Sequence, residues 1–453
     1  MRIPESPPDF ALLSDRIGKE SGAFAKLVPH FSPVDYKGRY LHWAELKRRT
    51  PPEGLSVEEW WFATKLSRSM TQKKLPFVDK RGTGFVFTLP DMVQRELEWL
   101  GHAGESVAVD LVDLRNPAQG RSIRLQALID EAIYSSQIEG ATTTRVVAKE
   151  MIRQKRRPVD KSERMILNNY DAMEYIRSRG DEPLTPEIVF TLHKTLTEGT
   201  LAIPDQAGRF RRPEEQVAVY WREGDLTPVH SPPPAAELPV RLERLCRFAN
   251  EQDGIVFIHP LVKAIILHFM IGYDHPFVDG NGRTARALFY WQALRSGYSL
   301  IEFLSISGAI KKRKKEYSAS YLHSETDGND LTYFIIDQLE VIRLEIERLI
   351  DEVQYKAEQT RDAETILGQE LGRRLNFRQK ELLRHALRHP GYEYSFAAHA
   401  REYDISRNSA RNDLLELSDE LALLDKVKPG NSWVFVAPAD LRPRFERYRG
   451  EGM

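Results

Sequence analysis

Apolar positions in this chain follow a helical rhythm over most of its length. From Arg121 onward Ile123, Leu125, Leu128, Ala132 and Ile133 recur at steps of about three and four, which lines one face of an α-helix. That helix should stop at Gly140, a residue suited to the left-handed turn after a helix. The same periodicity predicts helices at 161–178, 185–197, 236–252, 258–274 and 283–296. Between Gly208 and His230 the pattern changes to alternation, with Val217 and Val219 on one face, and reads as a hairpin followed by the proline-rich hinge Ser231 to Pro234. From Leu331 to about Tyr355, Ile335, Leu339, Ile342, Ile346, Leu349 and Val353 form a heptad seam. The seam packs on the chain's own core or, as the alternative, on a second copy in a homodimer.

The ends read differently. Residues 1–120 are rich in aromatics, prolines and charges; Trp43, Trp60, Trp61 and Trp99 suggest a helical layer over 40–72 and 91–101 without recognisable chemistry. After the polar stretch Gln359 to Glu370, helices are expected at about 377–388 and 396–403, the second capped by Ser395, and a third after Ser406. A hairpin then turns at Pro429-Gly430-Asn431 between Val427 and Val436. Three short helices and a hairpin describe a winged helix-turn-helix. The chain is therefore expected to be mainly α, divided into 1–120, a central region 121–340, a helical linker 341–375 and the winged helix 376–453.

Composition narrows the classes. At 453 residues the chain has room for about three globular units. With 41% apolar and 29% charged residues it can bury a core, which excludes wholesale disorder. Lys plus Arg (65) nearly equals Asp plus Glu (66), so nucleic acid or membrane binding would need a local patch. Cys246 is the single cysteine, excluding an internal disulfide framework and a cysteine zinc cluster. The opening residues lack the apolar core of a signal peptide. The apolar stretch Ile255 to Tyr273 carries His259, Lys263 and His268 and reads as a buried helix. A cytoplasmic protein with no membrane contact is the expectation.

The chemistry concentrates in residues 275–286, His-Pro-Phe-Val-Asp-Gly-Asn-Gly-Arg-Thr-Ala-Arg. An apolar helix delivers His275 into a loop. Gly280, Asn281 and Gly282 can turn their amide N–H groups toward an anion, and the next helix points its positive end into the same loop. Arg283 and Arg286 are three apart and can fork onto phosphate oxygens. Asp279, the only carboxylate between His275 and Arg286, suits a magnesium ion shared with those phosphates. Such a set describes a nucleotide phosphate site with a general base.

This run resembles the signature of the Fic family, His-x-Phe-x-(Asp/Glu)-Gly-Asn-Gly-Arg-x-x-Arg, at every fixed position. The resemblance extends over about 121–340: Asn168-Asn169-Tyr170 and the His193 helix resemble its upstream helices, Gly208 to Arg211 with Gln216 to Val219 its flap hairpin, and Ser305 to Ser307 with Tyr317 the wall of its nucleotide pocket. It implies an all-helical core and transfer of AMP from ATP to a Ser, Thr or Tyr hydroxyl of a protein target or of the chain itself. His275 would take the hydroxyl proton, and Asp279 would hold the magnesium ion. Gly280, Asn281, Gly282, Arg283 and Arg286 would hold the phosphates. Val217, Ala218 and Val219 would align the target by strand addition. Gly280 stands where the kinase-like branch of the family has lysine. The signature fixes the phosphates better than the rest of the donor, so transfer of UMP or phosphocholine is a further enzymatic alternative.

The end of the helix that begins near Arg121 resembles the inhibitory motif of the same family, (Ser/Thr)-x-x-x-Glu-(Gly/Asn), with Ser135, Glu139 and Gly140 in the fixed places. On its own, Glu139 is a carboxylate at a helix C-terminus, disfavoured by roughly 0.3–1 kcal/mol and relieved by a cation. The resemblance implies that it pairs with Arg286 and withholds that side chain from the γ-phosphate. In some family members the same glutamate positions water for AMP removal.

Other features are milder. Lys311 to Lys315 is a basic run, a solvated helix face or, through Lys312, a nucleotide contact or an acidic-target surface. His193, His259 and His268 read as core histidines. In the C-terminal module Arg407, Asn408, Arg411 and Asn412, with Lys426 and Lys428 on the hairpin, are residue types that contact base edges and phosphates. Acidic neighbours dilute them. A DNA-binding regulator whose Fic core senses nucleotide or modifies itself is accordingly the alternative to a protein AMP-transferase.

Overall fold

The computed structural model of the chain describes residues 3–19, 22–111, 117–179, 182–220, 227–251, 257–368, 374–403, 405–429 and 432–446. Two units divide it, Met1–Leu349 and Ile350–Met453. Helices dominate both.

The first unit is built around helix Pro260–Asp274. Leu261, Val262, Ile265, Ile266, Leu267, Phe269 and Met270 are all at most 1% exposed. A helix apolar on every side belongs in an interior, and complete burial of each such side chain contributes about 1.5–3 kcal/mol. Helix Asn281–Arg295 packs along it and contributes Leu288, Phe289, Tyr290 and Trp291 to the same interior. Around this pair lie helices Pro117–Ile138, Lys161–Ser178 and Pro186–Thr197. The last two start where short polar side chains cap them: Asp160 accepts from Glu163 N–H at 2.8 Å, and Thr185 accepts from Ile188 N–H at 3.3 Å. Helices Ile306–Lys312 and Lys314–Thr326 follow, broken at Arg313.

The residues before Pro117 form more than a helical layer. Helices Trp43–Leu46, Val57–Thr71 and Asp91–Leu111 are accompanied by an antiparallel pair, Lys73–Val78 with Gly84–Phe87. The alternation that buries Leu75 with Phe77 and Phe85 with Phe87, flanking an Asp-Lys-Arg-Gly turn, is a strand signal obscured by the prolines around it. Arg68 joins this layer to the loop ahead of helix Thr332–Gly368. It is 2% exposed, donates to Tyr333 Oη at 2.7 Å and to the carbonyls of Leu41 and Pro33 at 2.9 Å, and lies 3.7 Å from Asp327.

Ile335, Leu339, Ile342, Ile346 and Leu349 are buried in the first unit, so the heptad seam packs on this chain's own core. Helix Thr332–Gly368 continues past Tyr355 through the polar stretch, since no proline or glycine interrupts it before Gly368. The boundary between units falls inside this helix.

In the second unit, helices Phe377–Arg388, Phe396–Glu402 and Arg407–Leu415 are each started by a capping side chain, Asn376, Ser395 and Ser406. A sheet ordered Glu393–Tyr394, Val434–Val436, Asp425–Val427 closes the core over Leu383, Leu414, Leu423 and Phe435. The short strand at Glu393 was not legible in the sequence. Gly430 and Asn431 of the expected turn lie outside the described residues. Among the described residues no helix is long and apolar enough to cross a membrane.

Candidate active site

Loop 275–280 joins the two central helices, and its shape is fixed from within. His275 ends the first helix in the left-handed region, φ 46°. Asn281 accepts from Phe277 N–H at 2.9 Å and donates back to the Phe277 carbonyl at 2.8 Å, so its side chain is occupied in closing the loop. This advances the second helix, expected from Arg283, to Asn281. Gly280 has φ 82°, and a Cβ there would lie 2.7 Å from Thr197 Cγ2.

Side chains from elsewhere hold the loop in place. Arg211 donates through Nε to the His275 carbonyl and through its backbone N–H to the Pro276 carbonyl, both at 2.9 Å. His193 stacks on Phe277 with centroids 3.7 Å apart. Its Nε2 is 2.9 Å from the Asp279 carbonyl, and its Nδ1 is 2.9 Å from the Gly208 N–H. Burial pushes the His193 pKa down to about 4, so the ring is neutral. One N–H for the carbonyl and one lone pair for the amide satisfy it completely.

His275 has a defined tautomer as well. Nδ1 lies 3.0 Å from the Gly272 carbonyl, which can only accept, so Nδ1 carries the proton. Nε2 keeps its lone pair, and burial lowers the ring's pKa from its ordinary value. A neutral imidazole with a free Nε2 lone pair is the form a general base requires.

Arg286 and Glu139 meet on the other side of the cradle. Helix Pro117–Ile138 ends with the Ala141 N–H donating to the Ser136 carbonyl at 3.0 Å and Gly140 at φ 96°. Asn169 donates to Ser136 Oγ at 2.8 Å and steadies this end. Glu139 Oε1 then accepts from Arg286 Nη2 at 3.0 Å. Arg286 also donates to Ser135 Oγ and to the Ser135 carbonyl, each at 3.0 Å. Burial opposes the charge of Arg286, yet neighbouring Glu139 holds its pKa above the usual range. Glu139 Oε1 also lies over Gly282, in the first turn of helix Asn281–Arg295, whose amides have no intrahelical acceptor. A carboxylate thus occupies the position the loop offers to an anion.

A cavity of about 300 Å³ opens beside these groups, lined by Glu139, His275, Gly282, Arg286, Val219 and Tyr317 among others. That volume is within the range of small-molecule sites. Tyr317 Oη lies 2.9 Å from His268 Nε2.

Other expected site residues lie elsewhere. Arg283 is 1% exposed and donates to the Leu196 carbonyl at 2.7 Å, while its Nε has no partner among the described residues. Val217 and Ala218 are half-buried outside the cavity lining. The expected hairpin is reduced, among the described residues, to one antiparallel bridge, Val219 with His230; residues 221–226 lie outside them. Lys312 is exposed and off the cavity, whereas Lys314 lines it, because the break at Arg313 redirects the chain between the two. Arg313 itself is drawn away by Glu340 at 2.5 Å. The structure also brings Tyr321, Ser318, His230 and Glu325 to the cavity. No local pattern marked them.

Residues 183–293 match the model of the Fic/DOC family. That segment is similar to a Fic domain. It is 28% identical over 249 residues to Protein adenylyltransferase Fic of Drosophila erecta, covering 54% of this chain and 46% of that protein. With the protein of the same name from Drosophila melanogaster it shares 28% over 222 residues, 48% of this chain and 42% of the relative. The matches thus span less than half of those relatives' length. A crystal structure of a Fic family protein from Desulfovibrio desulfuricans G20 superposes with a TM-score of 0.54 at 19% identity, covering 77% of this chain and 97% of that one. That likeness is one of fold. The Fic match includes the whole loop from His275 to Arg286 and both flanking helices up to Ala293, while Glu139 lies ahead of it.

Among the described residues no three His, Cys, Asp or Glu side chains cluster as a metal site. Asp279 is half exposed, with Oδ1 facing its neighbour's N–H at 2.5 Å and Arg283 at 3.7 Å. A lone carboxylate beside a phosphate cradle fits magnesium, which takes one or two carboxylates and completes its shell with substrate phosphates and water.

Proposed function

We propose that this protein transfers AMP from ATP to a hydroxyl of a protein target or of itself, and that Glu139 restrains the transfer. The carrying observation is His275: Nδ1 is committed to the Gly272 carbonyl, which leaves the lone pair to Nε2, and the residue lines the same cavity as Gly282 and Arg286. In this reading the acceptor oxygen attacks the α-phosphorus while Nε2 takes its proton. The bond from the α-phosphorus to the bridging oxygen breaks, and pyrophosphate leaves with that electron pair. Magnesium held by Asp279 would supply neutralisation of phosphate charge. Gly280 and Gly282 keep the cradle open to phosphate, and the Val219 segment offers a strand edge to the acceptor.

The Glu139–Arg286 contact supports restraint, because it both engages the arginine and places a carboxylate where phosphate charge belongs. Incubation with ATP and magnesium, followed by intact mass measurement, tests the reading. Glu139→Gly should gain the mass of one AMP group on itself or on captured protein, and Glu139→Gly with His275→Ala should not. No increment in either protein removes the transferase reading.

A second reading concerns the C-terminal unit, which we assign as a winged helix. Arg407, Asn408, Arg411 and Asn412 are all exposed on one helix, which favours contact with duplex DNA. Lys426 is partly engaged by Asp419 at 2.7 Å, leaving exposed Lys428 beside the Trp433 ring. A gel shift with the full chain that weakens steeply with salt supports DNA binding, and no shift at low salt dismisses it.

A further inference from the structure

His230 is buried at the base of the flap, and its environment differs from that of His193. Its backbone forms the single bridge described for this segment: the Val219 N–H donates to the His230 carbonyl at 3.0 Å, and the Val229 N–H to the Val219 carbonyl at 2.8 Å. Two strands joined at one point have little stability of their own. The ring supplies what the backbone lacks. Nε2 lies 2.7 Å from the Tyr273 carbonyl, and Nδ1 lies 2.7 Å from a Glu325 carboxylate oxygen. The ring also packs against Tyr273 with centroids 4.8 Å apart.

These contacts join three elements that matter to the site. Tyr273 stands two residues ahead of His275 on the same helix. Glu325 belongs to helix Lys314–Thr326, which brings Tyr317 and Tyr321 to the cavity wall. Val219 carries the strand edge. Carbonyl and carboxylate can only accept, so the two contacts are hydrogen bonds together only when both ring nitrogens carry protons, and the contact with Glu325 is then charge-assisted.

We propose that His230 and Glu325 form a latch that fixes the flap against the catalytic helix, and that both are positioning residues for the acceptor protein rather than for ATP. This rests on the reading that the flap presents the acceptor to His275. Without the latch the Val219 edge would be disordered relative to Nε2, and an incoming segment would have to order it on binding.

The test uses the full chain carrying Glu139→Gly, with His230→Phe, Glu325→Ala or Glu325→Gln added. Three quantities are measured: hydrogen exchange at 217–220 and 227–231, ATP affinity by calorimetry, and AMP incorporation into a His275→Ala chain supplied as acceptor. His230→Phe and Glu325→Ala should speed flap exchange about tenfold to a hundredfold, the range for losing a hydrogen bond to a charged group. Glu325→Gln, which keeps a hydrogen-bonding partner, should fall between them and the parent. Exchange in helix Pro260–Asp274 should stay at the parent value, and the loss of incorporation should appear chiefly as a higher acceptor KM and exceed any change in ATP affinity. Flap exchange unchanged in both strong variants overturns the latch, and so does exchange that rises throughout the unit. Should His230→Phe not fold, the two Glu325 variants decide. If the Glu139→Gly parent incorporates no AMP at all, the transferase reading fails, while the exchange measurement still judges the latch.

Discussion

Glu139 Oε1 occupies the space that any side chain on Gly282 would need: a Cβ built there would lie 2.3 Å from it. The same oxygen is 3.0 Å from Arg286 Nη2. A residue from the end of one helix therefore fills the first turn of another and engages its arginine. Removing the carboxylate vacates the turn without unpacking the arginine, whose two contacts with Ser135 remain.

Ser135→Ala should release the restraint only in part. It leaves Arg286 Nε without its acceptor inside the core, at a cost of about 1–3 kcal/mol in stability. Glu139 still holds Nη2. AMP incorporation should rise above the parent but stay below Glu139→Gly, and urea unfolding should report the lost stability. Incorporation equal to that of Glu139→Gly would show that the carboxylate restrains only through an arginine that Ser135 holds in place.

The two cradle glycines should respond oppositely to alanine. At Gly280 the added Cβ meets Thr197 Cγ2 at 2.7 Å in a left-handed backbone, so Gly280→Ala should cost roughly 1–3 kcal/mol of stability. At Gly282 the obstacles are the far ends of two side chains, Glu139 and Arg286, and the backbone is helical. Gly282→Ala should keep its melting temperature yet lose ATP affinity, because the methyl group enters the phosphate space. Calorimetry and thermal melts on the pair check both halves.

Because burial lowers the His275 pKa, the base is unprotonated through neutral pH. In the Glu139→Gly protein, kcat/KM should be flat at pH 7 and fall tenfold per pH unit on the acid side, with a midpoint under the free value of about 6.5. A midpoint above that value contradicts the buried neutral ring.

Stability should also decline in acid. Burial pushes His42, His193 and His268 down to about 3, 4 and 3. Above about 6.5 their contribution is complete; as the pH falls below it, the unfolded chain takes up protons that the native one refuses, about 1.4 kcal/mol per unit for each ring. Asp274 and Asp337, raised by burial to about 6, act the other way. Their contribution is complete below the unfolded value of about 3.8 and is lost as pH rises through 6. Among these five groups the three rings outnumber the two carboxylates, so together they lower stability as the pH falls from 6 to 4, measurable by urea titration at several pH values. Rising stability over that window would refute the assignment.

The site was legible where its chemistry is contiguous. His275, Gly282 and Arg286 come from one local run and Glu139 from another, and the structure brings these four to one cavity. What spacing could not give is which way a side chain turns. Asn281 was expected to hold phosphate but closes its own loop on Phe277, and Arg283 turns to the Leu196 carbonyl. Lys314 replaces Lys312 at the cavity because a helix break between them is invisible to charge pattern. His230 and Glu325 are 95 positions apart, and nothing local in either sequence neighbourhood signals their meeting. Helix periodicity predicted the central helices well. The short strands at 73–87 and 393–394 escaped because prolines and brevity hide alternation.

Arg68, 2% exposed against Tyr333 and Asp327, reaches back from the amino-terminal layer to the loop that follows the cavity-lining helix. Trimming the chain to residues 121–340 would strip Asp327 of both Lys65 and Arg68 and deprive Asp330 of the Tyr40 hydroxyl. Orphaning one member of such a buried pair costs about 3–5 kcal/mol, a large share of what keeps any domain folded. A fragment cut at residues 121 and 340 would consequently be a poor surrogate for the intact molecule, and its inactivity would say nothing about the chemistry of the loop.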